Sequence, residues 1–373
     1  MMVRAFISAV ALAFAGSALA QGVTESEIVL GQSAAMTGPA AQLGKDMRAG
    51  AMLYFDQVNE HGGVYGRKIV LKSLDDGYEP NRAVANTKTL IEQDKVFALF
   101  GYVGTPTSMA ALPVFTQAKV PFVGPFTGAE GLRNPVNPYV FNVRASYFEE
   151  TEAIVRHLTA MSIDKIAIFY QNDAYGQAGL AGVERAMKKR NMALAARATV
   201  ERNSVDVAKA VATITKAQPQ SVIMISAYKS CAAFIREMKK AGQNPTFWNV
   251  SFVGSKALAE ELGPEGRGVE ISQVMPFPWD ISVPVVREYR KLVDARKLEP
   301  GFGTLEGFIA AKVMVEGLKR AGRKLNREDF VRAMDSMSNY DVGGFKVSYG
   351  PQDHSGSDFV DLTIISRNES FVR

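Results

Sequence analysis

The sequence predicts an α/β fold made of two units in series, each a mostly parallel sheet flanked by helices. Three observations carry that expectation. Short β-branched runs alternate with amphipathic helical stretches along the chain, the pattern of parallel α/β sheets. Beyond residue 20 there remain 353 residues, more than the roughly 250–300 at which one core usually divides. A spacing also recurs: Gly44 precedes Gly50 by six residues after a strand and loop, and Gly176 precedes Gly182 at the same offset. Glycine at such places lets a loop turn tightly and a helix pack closely.

The elements follow in order. Residues 1–20 read as a cleaved export leader: Arg4, an apolar run from Ala5 to Ala15, and the small-residue cleavage pattern Ala18-Leu19-Ala20. That run is shorter than the about 20 apolar residues a membrane span needs. Glu27–Gly31 reads as a strand, then a loop with Thr37-Gly38-Pro39, then a helix over about Gly44–Asn59 stopped at His61-Gly62-Gly63. Lys68–Ser73 is the next strand, a helix covers roughly Asn81–Gln93, and Val96–Phe100 and Val120–Val123 extend the sheet around a helix starting near Pro106. Val140–Val143 closes the first cycle. The second opens at Lys165–Phe169, with a helix over about Tyr175–Arg190, and continues through Leu194–Val200, Ser221–Ser226, Phe247–Val250 and Val269–Val274. Helices near Val205–Lys216 and Ser230–Ala241 alternate with these strands. A long amphipathic stretch, Leu305–Ala321, and a pair of extended runs end the chain.

Composition narrows the chemistry. The net charge of +5 becomes +4 without Arg4 and is spread without basic blocks, so nucleic acid is not an expected partner. The lone Cys231 cannot form an internal disulfide and sits in an apolar helical segment, where burial is expected. Phosphate-cradling glycine loops and the H-E-x-x-H and G-x-S-x-G motifs are missing. His61, His157 and His354 lie in three separate segments and read as surface or loop residues, not as metal ligands. No cofactor or metal is expected, and catalysis is the weaker class of reading.

Two strand ends that turn into helix starts do stand out. Gly101-Tyr102-Val103-Gly104-Thr105-Pro106 places Thr105 as an N-cap with Pro106 at the first helical position. In Pro125-Phe126-Thr127-Gly128-Ala129-Glu130, Thr127 and Glu130 match a capping box. Capping alone accounts for either one. If the two starts converge, their hydroxyls and first-turn amides suit a carboxylate.

At these residues the sequence resembles the type I periplasmic binding proteins of branched-chain amino acid ABC transporters, the leucine/isoleucine/valine-binding family. The marks are Met36-Thr37-Gly38-Pro39-Ala40, Asn59 with Gly62-Gly63-Val64-Tyr65-Gly66-Arg67-Lys68, Asp75-Asp76, Val123-Gly124-Pro125-Phe126-Thr127, and Asp173-Ala174-Tyr175-Gly176. They keep the family's order and spacing over roughly Ile28 to Val360. The resemblance implies two lobes joined by three crossovers, placed near Arg144, Pro276 and Tyr340. Lobe 1 would hold residues 22–143 plus 277–340, and lobe 2 residues 144–276 plus 341–373. It implies a ligand carboxylate held by Thr105, Phe126, Thr127 and Gly128, covered by Tyr175 or Tyr228 from the second lobe, with Leu43 and Ser251 shaping the pocket. Members that bind amino acids carry a second-lobe acid for the ligand's ammonium; here that place falls near Ser251, and no Asp or Glu lies between Phe247 and Lys256. Either another acid such as Asp173 serves, or the ligand has no amine, since an unpartnered buried ammonium is costly.

The resemblance thus implies a periplasmic, monomeric receptor that passes an amino acid or organic carboxylate to an ABC transporter permease. A sensor reporting to a chemoreceptor or kinase, and an exported hydrolase or lyase, are the alternatives.

Overall fold

The computed structural model describes residues 21–373; the expected leader, residues 1–20, lies outside them. The first sheet holds five parallel strands: β1 (Glu27–Ala34), β2 (Lys68–Asp75), β3 (Ala98–Phe100), β4 (Phe122–Val123) and β5 (Val140–Phe141), in the spatial order β2-β1-β3-β4-β5. Their connections are helices α1 (Ala41–Glu60), α2 (Pro80–Lys88), which runs on through a π turn at Thr89–Gln93, and α3 (Thr105–Gln117). A second cycle repeats this with α4 (Tyr147–Ala160), β6 (Ile166–Gln171), α5 (Ala174–Lys188), β7 (Ala196–Val200), α6 (Ala208–Ala217), β8 (Ser221–Ile225), α7 (Tyr228–Lys240), β9 (Thr246–Asn249), α8 (Ser255–Leu262) and β10 (Glu270–Gln273). The chain then makes α9 (Pro284–Ala295), α10 (Phe302–Ala321) and α11 (Arg327–Asp335). It ends in strands β11 (Tyr340–Asp341), β12 (Lys346–Gly350), β13 (Asp353–Gly356), β14 (Asp361–Ile365) and β15 (Phe371–Val372).

The second sheet runs β15-β14-β10-β9-β8-β6-β7, parallel from β7 to β10 and antiparallel at β14 and β15. Strand β8 is buried at all five residues (SVIMI), as a central strand covered on both faces must be. Both sheets reverse direction beside their first strand, between β1 and β3 and between β6 and β8. Such a reversal opens a crevice beyond the strands' carboxyl ends. The molecule is therefore two α/β lobes, and the two crevices face each other.

Helix α1 shows why these segments hold. Leu43, Met47, Gly50 and Ala51 repeat at helical spacing and are buried, and the helix stops where Gly62 and Gly63 take positive φ of 91° and 72°. Its buried stripe lies on α10, with Gly50 and Gly307 at the closest approach. Helices α4, α8, α9 and α11 were not delimited from the sequence, and strands β3, β4 and β7 each start two residues later than expected.

The C-terminal region departs from the expected division. Strands β11, β12 and β13 form their own antiparallel sheet and lean on the first lobe, not the second. The Asn142 amide donates to the His354 carbonyl at 3.0 Å, and the Tyr349 hydroxyl donates to the Asn142 carbonyl at 2.6 Å. Only from Asp361 onward does the chain add strands to the second sheet. His354, expected at a surface or in a loop, is 3% exposed. It stacks on Phe141 at 4.2 Å and bonds Asp335 through Nε2 at 2.9 Å, because an apolar ring face and a carboxylate are both within its reach. Cys231 is buried on α7, and burial pushes its thiol well up.

Candidate functional site

The residues that meet between the lobes stand just beyond strand carboxyl ends. From the first lobe come Tyr78 after β2, Thr105 after β3, and Phe126 and Thr127 after β4; from the second come Tyr175 after β6 and Ser251 and Phe252 after β9. The Thr105 and Thr127 hydroxyls are 2.7 Å apart, and Thr127 donates to the Tyr147 hydroxyl at 3.2 Å. All three residues are buried. Phe252 sits among rings of both lobes: Tyr175 at 4.7 Å, Phe126 at 5.7 Å and Tyr78 at 6.0 Å between centroids, with Tyr147 a further 5.4 Å from Tyr175. The Tyr175 hydroxyl is buried without a hydrogen-bond partner. Burial raises its pKa well above the phenol value, so it remains a neutral O–H donor.

A buried charge cluster adjoins the rings. Arg144, fully buried at the first crossover, donates to Glu150 on α4 at 3.1 Å and to Glu306 on α10 at 3.4 Å. It also donates to the Ser251 hydroxyl, and its guanidinium lies 5.2 Å from the Phe126 centroid. Glu150 accepts from the Ser251 amide at 2.7 Å and the Ser272 hydroxyl at 2.6 Å. One guanidinium cannot neutralise two carboxyls. Burial therefore pushes Glu150 up, and pushes Glu306 up to about 7, against the pull of Arg144.

The Glu306 shift has a sign that can be tested. A folded-state pKa of about 7 against an ordinary 4.5 means the native protein keeps a proton that the unfolded chain releases between those values. Stability is thus greatest below pH 4.5 as far as this group goes, and falls as pH rises toward 7. The charged groups facing Glu306 are Arg144, Glu150 and Arg133. Glu306→Gln cannot ionise. Relative to the wild type it should gain on the order of 3 kcal/mol between pH 5 and 8, read from urea midpoints. Parallel pH profiles for the two proteins would contradict this.

The expected site residues divide. Leu43, Phe126 and Ser251 line one cavity of about 10 Å³ between the lobes, with Asp46, Gly254 and Glu306. That is room for about one water, so the lobes are drawn together at this point. Leu43 presses on Gly254 across it, where a Cβ would come within 2.5 Å of the leucine. Thr105, Thr127 and Tyr175 gather at the rings. Gly128 packs its backbone on the start of α4, its carbonyl accepting from the Tyr147 amide at 2.8 Å. Tyr228 stands apart at the rim, by Gln42 and Glu261.

Both capping expectations fail. Gly104, at φ 104°, caps α3, and Thr105 is already inside the helix. After Thr127 there is only a three-residue 3-10 turn, Glu130–Leu132, whose cap is Ala129. The threonine hydroxyls bond each other, so neither serves a helix end. Asp173 does cap α5, accepting from the Tyr175 amide at 2.9 Å, and also accepts from Gln171 and Arg202. Tyr78, Phe252, Arg144, Glu150 and Glu306 join the site without a motif in the sequence to mark them. Only the position of Arg144 at a crossover and of Phe252 beside Ser251 pointed toward them.

Direct polar contacts also tie the lobes. Arg202 pairs with Glu79 at 2.8 Å, Asn203 donates to Glu79 at 2.9 Å and to the Gly77 carbonyl at 3.1 Å, and Gln171 donates to the Tyr78 hydroxyl at 3.2 Å. The ion pair is partly exposed, which limits it to about 0–1 kcal/mol. A contact that weak suits a latch that opens and closes.

Residues 27–365 match the family described as periplasmic binding protein. A leucine-, isoleucine-, valine-, threonine- and alanine-binding protein of Pseudomonas aeruginosa is 23% identical over 317 residues, covering 84% of this chain and 83% of that protein. A possible leucine/isoleucine/valine-binding protein from Rhodopirellula baltica superposes with a TM-score of 0.90 at 35% identity, covering 94% of this chain and 97% of that one. A solute-binding protein of an ABC transporter from R. palustris, in complex with benzoate, has the same fold (TM-score 0.82, 20% identity, 93% and 95% coverage).

Proposed function

The chain belongs to the periplasmic binding protein family, whose members bind solutes, and from that premise we propose that it is the substrate-binding component of an ABC transporter, acting in the periplasm. It captures a small carboxylate-bearing solute in the cleft and presents the closed form to a membrane permease. The observation that carries this reading is the linked set of buried hydroxyls, Thr105, Thr127 and Tyr147, set against rings from both lobes. Hydroxyls can turn their protons toward an oxyanion, and the rings supply apolar area for the rest of the solute. The chain's relatives and neighbours include a protein that binds amino acids and one that holds benzoate, so the acid end is the feature their ligands share.

Capture requires opening. Phe252 now fills the space between Tyr78, Phe126 and Tyr175, and the latch at Glu79 and Arg202 is weak enough to release it. A ligand that bridges the lobes then replaces ring–ring contacts with its own. Leu43 and Ser251 shape the inner wall, Gly128 holds the Thr127 loop against α4, and Tyr228 borders the mouth.

Thr105→Ala removes one hydroxyl from the set. Ligand binding should weaken by about 1–3 kcal/mol, the usual loss for a hydrogen bond to a charged group. Calorimetry on the purified protein, after a thermal-shift screen of amino acids, aromatic acids and dicarboxylates, measures it. Unchanged affinity would remove Thr105 from the site.

A further inference from the structure

We infer that the cleft selects a carboxylate that carries no ammonium group, an organic acid in place of an α-amino acid, and that Arg144 Nε and the Tyr175 hydroxyl are the donors that select it. This rests on the carboxylate-binding reading above and narrows it.

The first half of the argument is the acids. An ammonium buried in a closed cleft needs a carboxylate whose lone pairs are free for it. Glu150 has both oxygens engaged, Oε1 by Arg144 and Ser251 and Oε2 by the Ser251 amide and Ser272. Glu306 faces Arg144 with both of its oxygens, at 3.4 and 3.5 Å. Asp173 is taken by the Tyr175 amide, Gln171 and Arg202. Asp76 accepts from the Ser33 hydroxyl at 2.7 Å and the Tyr78 amide at 2.8 Å. Glu79 serves the latch. Asp46 accepts from Gln42 at 2.7 Å, with the charge of Lys256 nearby and shared with Glu260. Beside Ser251, the place the resemblance assigns to an ammonium partner, Glu150 is already paired with a cation of the protein's own, Arg144.

The second half is the donors. Arg144 Nε and the Tyr175 hydroxyl are both fully buried, and neither has a hydrogen-bond partner. Each is costly to leave so, the charged group more than the neutral one. The Tyr175 ring lies 5.4 Å from that of Tyr147, whose hydroxyl accepts from Thr127, and the Arg144 guanidinium lies 5.2 Å from the Phe126 ring. A carboxylate bound here satisfies orphaned donors, whereas an ammonium brings none of the acceptors they lack.

The test uses residues 21–373 and matched pairs that differ by the amine: isocaproate and leucine, hydrocinnamate and phenylalanine, glutarate and glutamate. Thermal shift followed by calorimetry should find at least one acid that binds while its amino acid does not. Tyr175→Phe keeps the ring and deletes only the unpartnered hydroxyl, so the unliganded melting temperature should hold or rise. Its affinity for the acid should fall about tenfold or more. An amino acid that binds more tightly than its acid overturns the inference and leaves the carboxylate reading standing; loss of that binding in Asp46→Asn would then name the partner. If no member of any pair binds, the carboxylate reading itself falls. Unchanged acid affinity in Tyr175→Phe overturns the role given to that hydroxyl.

Discussion

Replacing Arg144 with methionine should cost about 3–5 kcal/mol of stability at neutral pH, the loss typical when one member of a buried ion cluster is removed. Methionine fills much of the volume of the arginine stem, so the cost is electrostatic. Glu150 and Glu306 would be left buried with no cation between them, and the Ser251 hydroxyl would lose a donor. The acids can escape only by taking up protons, which their raised pKa values already favour. The loss should therefore shrink toward pH 5 and grow toward pH 8. Adding Glu150→Gln and Glu306→Gln removes the stranded charges while keeping acceptors for the Ser251 amide and Ser272. That triple variant should recover most of the stability. Urea midpoints at the two pH values read all of this. A single variant as stable as the wild type at pH 8 would show that the cluster does not hold the crossover.

The two-lobe plan was legible because it is written locally. β-branched runs mark strands, and the Gly44/Gly50 and Gly176/Gly182 pairs mark one structural unit used twice. A Cβ at Gly44 would strike the Ala35 carbonyl, and one at Gly176 the Gln171 carbonyl, each the chain entering its own helix. Gly50 meets Thr304 on α10, while Gly182 meets Thr151 on α4 at 2.5 Å, each a neighbouring helix. What escaped is tertiary. Arg144 finds Glu306 across 162 positions, and Glu150 finds Ser251 across 101. No local pattern announces such pairs. The capping box at Thr127 misled for the same reason: its hydroxyl had a better partner in Thr105 than in any helix end. Strands β11 to β13 were visible as extended runs, but which lobe they join is decided by contacts such as Asn142 with His354.

Gly50→Ala should lower stability by about 2 kcal/mol or more, although alanine is the better helix former. In an exposed helix the exchange would gain roughly 1 kcal/mol. Here the new methyl lands on the Thr304 backbone, an atom group that cannot rotate away, so α1 and α10 must separate. Overpacking of that kind costs about 1–3 kcal/mol and more where the backbone must move. Gly307 makes the reciprocal approach, its Cβ meeting the Met47 carbonyl, so the pair of helices has no slack on either side. Gly350→Ala is the control: no atom lies within 4 Å of its Cβ and its φ is ordinary, so it should be close to neutral. A raised urea midpoint for Gly50→Ala would refute the contact. The same variant should also bind ligand less well. Leu43 stands on α1 and Glu306 on α10, and both line the cleft, so helices held apart at Gly50 shift the wall that a ligand must meet.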